Sequence, residues 1–142
     1  MTTTRIKLLI VDDSRTSRSL IRGFVSGLRK DWEIVEASSG EEGLEKIKES
    51  QPHFVTMDVN MPGMSGLEAA GEIRWRYPEI KISVCTGNVQ EYVREAARQA
   101  GVFFSPKPIT LLSMAEVISY FESPISNDSS ADSEFDTFDP GE

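Results

Sequence analysis

The sequence predicts an α/β fold in which a mainly parallel sheet is covered by helices on both faces. Five short apolar runs, typical of buried strands, alternate with longer stretches in which apolar residues recur at helical spacing. Because parallel neighbours need crossover connections, strict alternation of strand and helix favours a parallel sheet. The predicted strands are 6–11, 32–37, 54–57, 80–85 and 102–105.

Helical stretches lie after each predicted strand. Apolar residues at helical spacing indicate helices over 20–28, 44–47 and 67–74, and a final one from about 111 to 121. Two pairs have the spacing of a capping box, in which a polar residue and a Glu three positions later start a helix. These pairs, at the second and fourth helices, are Ser39 with Glu42 and Asn88 with Glu91.

The charge is unevenly distributed and suggests a domain of residues 1–122 followed by a tail of residues 123–142. The chain has 142 residues and a formal charge of −8, a length that fits one domain. The tail holds six acidic and no basic side chains, and we expect it to be disordered because few apolar groups oppose the entropy of ordering. Phe135 and Phe138 could form a docking motif, but an inert solubilising tail is the favoured reading.

Composition also excludes several classes of protein. A single cysteine, at position 85, rules out an internal disulfide, and the absence of a long apolar run argues against secretion or membrane insertion. A reducing cytoplasm is therefore the expected location. The acidic balance argues against nucleic-acid binding, since affinity for a phosphate backbone depends on Lys and Arg.

Polar side chains gather where the predicted strands end. Because ligands of open α/β sheets bind beyond the carboxyl ends of the strands, these residues are candidates for one shared site. An acidic pair after a strand often caps the next helix, and Asp13 or Ser14 could do so here. Capping does not explain a set spread over four strand ends, which comprises Asp12, Asp13, Asp58, Thr86 and Lys107.

The chemistry of this set points to a phosphoryl group and a hard cation. Three carboxylates close together repel one another, so they should bind protons more tightly or hold a metal ion. Oxygen ligands suit Mg²⁺, which binds through one or two carboxylates and contacts substrate phosphates. Lys107 and Thr86 would face the incoming anion, which makes Asp58 a candidate nucleophile for an aspartyl phosphate. Such a species could accumulate and act as a signal.

Four segments carry a family resemblance that covers residues 5–122. They are LLIVDDS at 8–14, MDVNMPGMSG at 57–66, VCTG at 84–87 and FFSPKP at 103–108. In combination they resemble the receiver domain of response regulators in bacterial two-component systems. The resemblance implies a flavodoxin-like, doubly wound five-stranded parallel sheet with strand order 2-1-3-4-5 and five helices.

The resemblance also implies roles for the acidic residues. Asp58 matches the residue that accepts a phosphoryl group from the phosphohistidine of a sensor histidine kinase or a phosphotransfer protein. Asp13, Asp58 and the backbone carbonyl of Asn60 match the direct Mg²⁺ ligands, and Asp12 matches the residue that reaches the metal through water. Receivers of this kind are signalling domains that phosphorylate and slowly dephosphorylate themselves, so we do not expect a classical enzyme.

A switch is implied at the other end of the site. Lys107 matches the lysine that pairs with the phosphoryl group, and Thr86 the hydroxyl that moves toward it. Phe104 matches the aromatic residue that then turns inward, although an ordinary core aromatic is the alternative. In the family, the bond between Lys107 and Pro108 is typically cis, and Pro106 is tolerable if the fifth strand lies at the edge of the sheet.

We expect output by contact with another protein. Only 20 residues follow position 122, too few for a DNA-binding or catalytic module, so the sequence suggests a stand-alone receiver. The expected partner surface comprises the fourth helix, fifth strand and fifth helix, including Tyr92, Val93 and Phe104. Two alternatives stay open, namely a scaffold that binds independently of phosphorylation and a Mg²⁺-dependent phosphohydrolase. Cys85 is expected to be a buried structural residue, and the single histidine, His53, to be either structural or exposed.

Overall fold

A computed structural model describes residues 5–124, in which five strands alternate with five helices. Each strand except the last is separated from the next by one helix, so every connection between paired strands is a crossover. The elements are β1 Lys7–Val11, α1 Arg15–Leu28, β2 Glu33–Ala37, α2 Gly40–Ser50, β3 Phe54–Met57, α3 Gly66–Arg76, β4 Lys81–Thr86, α4 Glu91–Ala100, β5 Phe103–Pro106 and α5 Leu111–Glu122.

The strands form one parallel sheet in the order β2-β1-β3-β4-β5, which confirms the predicted fold. Leu9 of β1 lies opposite Val35 of β2 on one side and Val55 of β3 on the other. β5 is an edge strand, and there Pro106 costs no hydrogen bond to a further strand. The predicted strand bounds differ from these by at most one residue.

Both faces of the sheet are buried, and successive strand residues point to opposite faces. Leu9 of β1 belongs to an apolar cluster with α2, α3 and α4, whereas Leu8 belongs to a second cluster with α1 and α5. Val93 of α4 is fully buried in the first cluster. Its predicted place on a partner surface is therefore wrong, since it lies on the face of α4 that packs against the sheet.

Polar caps start most of the helices. Ser14, one of the two candidates from sequence, caps α1 by accepting a hydrogen bond from the Ser17 amide at 3.2 Å. Ser39 caps α2 as predicted. The capping box predicted from Asn88 is wrong, because α4 begins at Glu91 and the Asn88 side chain instead accepts a hydrogen bond from the Gln90 amide.

The chain leaves the last helix after Glu122. Residues 125–142, with Phe135 and Phe138, lie outside the described residues, and their predicted disorder stays a prediction. Within residues 5–124, no helix is long and apolar enough to cross a membrane.

Candidate functional site

The carboxyl edge of the sheet brings the predicted site residues together. Asp12 and Asp13 directly follow β1, Asp58 follows β3 and Lys107 follows β5, while Thr86 is the last residue of β4 itself. The three aspartates each place a carboxylate oxygen within 4.8 Å of the others. An open cleft of about 540 Å³ lies beside them, lined by Asp58, Asn60, Thr86, Gly87, Asn88, Val89, Gln90 and Lys107.

Asp58 is held with one carboxylate oxygen toward the protein and one toward Lys107. It is 7% exposed, and its Oδ1 accepts a hydrogen bond from the Val59 amide at 2.8 Å. Its Oδ2 lies 3.7 Å from Lys107 Nζ, beyond hydrogen-bond length. Asp58 Oδ2 is therefore close to the positive charge of Lys107 but does not form a hydrogen bond with it.

A close backbone approach fixes the loop after β3. The Gly66 amide donates a hydrogen bond to the Val59 carbonyl at 2.9 Å. A Cβ atom at position 66 would lie 1.7 Å from the carbonyl oxygen of Asp58, so any other residue would push the loop away. Gly66 thus lets α3 start directly against the backbone of Asp58.

The remaining aspartates differ in burial. Asp12 is almost fully buried, and its Oδ1 accepts a hydrogen bond from the Ser14 amide at 2.9 Å. Its Oδ2 is buried without a hydrogen-bond partner, although Lys107 Nζ lies 3.2 Å away as an ion pair. Asp13 is exposed. The cluster therefore contains carboxylate oxygens with unused acceptor capacity, and Asp58 brings it to the wall of the cleft.

Negative charge exceeds positive charge at this edge. Burial, followed by repulsion from the Asp12 carboxylate, raises the pKa of Asp58 to about 6 from an ordinary 3.8, and the Lys107 ammonium only partly opposes this. Three carboxylates face one ammonium group. Hard oxygen ligands with surplus negative charge match the donor set that Mg²⁺ prefers, so the residues fit such an ion.

Lys107 is held from three directions. Its backbone amide donates to the Thr86 carbonyl at 2.8 Å, and its bond to Pro108 is cis, as the resemblance implied. Its ammonium group donates a hydrogen bond to Ser17 Oγ at 3.1 Å. Sequence reasoning missed Ser17, which lies in the first turn of α1. The only feature of the sequence that could have indicated this contact is the position of Ser17, four residues after Asp13.

Thr86 lines the cleft, and Phe104 lies outside it on β5, beside α4. Thr86 is buried, and its hydroxyl accepts a hydrogen bond from the Asn88 amide at 3.0 Å, which leaves the hydroxyl proton free to be donated. Phe104 is half-buried against the core, and the Arg94 guanidinium lies 4.6 Å from its ring centroid. Sequence reasoning missed Arg94, because a cation on a solvated helix gives no sign of an aromatic neighbour.

A second cavity lies at the opposite, amino edge of the sheet. This groove of about 640 Å³ has apolar walls that include Phe54, Tyr77, Ile80 and Phe121. His53 also lines it, and its Nδ1 accepts a hydrogen bond from the Lys7 amide at 3.1 Å. His53 is thus a structural residue far along the strand from the aspartates, as predicted.

Cys85 is also structural. It is buried in β4, and burial raises the pKa of its thiol to about 12. The thiol therefore stays protonated and unreactive near neutral pH.

Comparison with known families agrees with this geometry. A family model described as the response regulator receiver domain matches residues 8–119. The chain belongs to this family, whose members are signalling domains of two-component systems and typically bind Mg²⁺ at an acidic site.

Individual relatives show how far the similarity extends. The chemotaxis protein CheY of Listeria monocytogenes is 38% identical over 105 residues, which cover 72% of this chain and 87% of that protein. CheY of Thermotoga maritima is 38% identical over 104 residues, covering 72% and 85%. The solved structure of Vibrio cholerae CheY4 has a TM-score of 0.75 at 23% identity and covers 83% of this chain and 99% of that one, a likeness of fold.

Proposed function

We propose that this protein accepts a phosphoryl group on Asp58 from a sensor histidine kinase or a phosphotransfer protein, and signals by phosphorylation-dependent binding to another protein. The observation that carries the proposal is the position of Asp58 Oδ2, at the cleft, 3.7 Å from Lys107 Nζ and without a hydrogen bond. Family membership supports the same function.

The reaction is a transfer between two nucleophiles. Asp58 Oδ2 forms a bond to phosphorus as the bond from phosphorus to the donor's imidazole nitrogen breaks, and the electron pair stays on that nitrogen. Asp58 must be ionised to attack, and a pKa of about 6 leaves it largely ionised at neutral pH. Lys107 then offsets charge on the phosphoryl oxygens.

Asp12, Asp13, Asp58 and the backbone carbonyl of Asn60 would hold Mg²⁺, with Asp12 acting chiefly through water. The bound ion would neutralise negative charge on the phosphoryl oxygens. The buried Asp12 Oδ2, which has no hydrogen-bond partner, supports this assignment.

The switch uses the free proton of Thr86. A phosphoryl group on Asp58 supplies an acceptor across the cleft, and donation by the Thr86 hydroxyl would draw the loop after β4 inward. Phe104 then turns into the space that the loop leaves, which breaks its contact with the Arg94 guanidinium. The signal is thereby carried from the cleft to the surface around α4 and β5.

That surface is the proposed partner site. Large apolar side chains are exposed at the starts of α4 and α5, where Tyr92 is 62%, Leu111 54% and Leu112 70% exposed. Apolar groups left in water at neighbouring helix ends favour contact with another protein over a solvated surface. An output protein binding α4, β5 and α5 fits them. We place the protein in the cytoplasm, where kinases of two-component systems supply the phosphoryl group.

One experiment separates this function from the two alternatives. The protein is incubated with acetyl phosphate and Mg²⁺, and its intact mass is followed over time. We expect a persistent gain of one phosphoryl group that is absent in chelator. Rapid consumption of acetyl phosphate without a persistent adduct would indicate a phosphohydrolase, and an unchanged mass with no consumption would indicate a binding scaffold.

A further inference from the structure

We infer that Ser17 is a positioning residue for Lys107, an inference that rests on the proposed function. Three acceptors surround the Lys107 ammonium group: Ser17 Oγ at 3.1 Å, Asp12 Oδ2 at 3.2 Å and Asp58 Oδ2 at 3.7 Å. The contact with Ser17 is a hydrogen bond, the contact with Asp12 is an ion pair, and the Asp58 oxygen lies beyond hydrogen-bond length. The ammonium group is thus held by Ser17 and Asp12 beside the oxygen that attacks phosphorus.

A lysine at this position needs such restraint. Its stem has four rotatable bonds, and the side chain is 22% exposed, so an unrestrained ammonium group would spend time in water. Ser17 comes from α1 and Asp12 from the end of β1, so the two acceptors belong to different elements. One ammonium proton is then directed at Ser17 Oγ, the Asp12 carboxylate attracts the group as an ion pair, and protons remain for a phosphoryl oxygen.

The Ser17 hydroxyl does not help to cap or stabilise α1. Its backbone amide, not its side chain, takes part in the α1 cap with Ser14. Within residues 5–124, the hydrogen bond of its hydroxyl is the one with Lys107, 90 positions away in the chain. Because Ser is a weaker helix former than Ala, helix stability does not account for a hydroxyl at this half-buried position.

The test compares two variants of the same shape. Ser17→Thr keeps the hydroxyl, whereas Ser17→Val replaces it with a methyl group, so the pair isolates the hydrogen bond from changes in packing. Ser17→Ala removes the hydroxyl without adding bulk, and Ser19→Ala makes the same deletion at an exposed position of the same helix. The initial rate of phosphorylation by acetyl phosphate with Mg²⁺ is measured by intact mass, and melting temperatures confirm that each variant folds.

We expect Ser17→Val and Ser17→Ala to be slower than the wild type by about three- to tenfold, the effect of losing one hydrogen bond. Ser17→Thr should recover most of the rate, and Ser19→Ala should match the wild type. Equal rates for Ser17→Thr and Ser17→Val, whether both slow or both normal, would overturn the inference. If the wild type itself gains no phosphoryl group, the proposed function fails instead, so the two failures are distinguishable.

Discussion

The two edges of the sheet hold cavities of similar size but differ in whether their polar groups have hydrogen-bond partners. At the amino edge, the polar groups are paired with the backbone: His53 Nδ1 accepts from the Lys7 amide, and Lys81 Nζ donates to the carbonyls of Tyr120 and Ser123. At the carboxyl edge, Asp12 Oδ2 is buried without a hydrogen bond, and the pKa of Asp58 is raised to about 6.

This difference indicates that the polar groups of the amino edge stabilise the fold, whereas those of the carboxyl edge do not. Paired polar groups around an apolar groove stabilise the ends of α5 and β3. At the other edge, three carboxylates share the ammonium group of Lys107, and this excess of negative charge opposes folding because burial and mutual repulsion both disfavour the ionised forms. Under the proposed function, a bound cation would relieve this repulsion. Substitutions at the two edges should therefore have opposite consequences.

The largest expected effect is loss of phosphorylation in Asp58→Asn. An amide oxygen is a poor nucleophile, so the variant should gain no phosphoryl group from acetyl phosphate and Mg²⁺. Asp31→Asn, at an exposed position away from the cleft, is the matched control and should be phosphorylated like the wild type. Intact mass measures both. Modification of Asp58→Asn at the wild-type rate would place the acceptor elsewhere.

A core substitution at the amino edge should affect stability alone. Phe121 is 3% exposed, and its ring stacks on that of Phe54 with centroids 4.6 Å apart. Phe121→Ala should lower the free energy of unfolding by about 3 kcal/mol, the usual cost of such a cavity. Denaturant unfolding measures this loss, and the phosphorylation rate per folded molecule should stay unchanged. A selective fall in that rate would show that the edges are coupled.

Asp58→Asn should also stabilise the metal-free protein. The folded pKa of about 6 exceeds the ordinary value of 3.8, so the native state binds this proton more tightly than the unfolded chain. Stability from this group is therefore lost as pH rises from 3.8 through about 6. Above that range, removing the charge should add on the order of 2 kcal/mol.

Denaturant unfolding in chelator at about pH 4 and about pH 8 tests the sign. The gain from Asp58→Asn over the wild type should be larger at the higher pH, and Asp31→Asn should show no such trend. A variant less stable than the wild type at the higher pH would contradict the repulsion argument.

The smallest expected effect is that of Lys81→Met. Lys81 donates hydrogen bonds to the carbonyls of Tyr120 and Ser123 at the end of α5. A cation at this end of a helix also interacts favourably with the helix dipole. Its loss should cost about 1 kcal/mol of unfolding free energy. The phosphorylation rate should stay at the wild-type value, in contrast with any substitution of Lys107, the lysine of the other edge.

Sequence patterns predicted the features that are set by nearby residues in the chain, such as the strands and the polar residues at their ends. The predicted bounds of strand 54–57 match β3, because buried parallel strands are short and mostly apolar, with a polar residue just beyond each end. The convergence of polar residues followed from the rule that strand ends share an edge. The capping box at Asn88 was wrong because the same side chain can bond within its own turn before the helix begins.

Contacts between distant elements were beyond the sequence. The hydrogen bond from Lys107 to Ser17 and the contact of Arg94 with Phe104 depend on how helices lie against the sheet. Whether Val93 is buried depends on which side of α4 faces the sheet. The sequence does not show this, and Val93 was therefore wrongly assigned to the surface. The gathering of the polar residues at one edge was thus predictable from sequence, whereas the groups that hold Lys107 were not.

Mapping the modified residue tests the central claim most directly. The protein is treated with acetyl phosphate and Mg²⁺, reduced with borohydride to convert an aspartyl phosphate to homoserine, and digested for peptide mass analysis. We expect reduction at Asp58 and at no other aspartate, and none when Mg²⁺ is chelated. Reduction at Asp12 or Asp13, or an unreduced Asp58 in protein that has gained a phosphoryl group, would contradict the account.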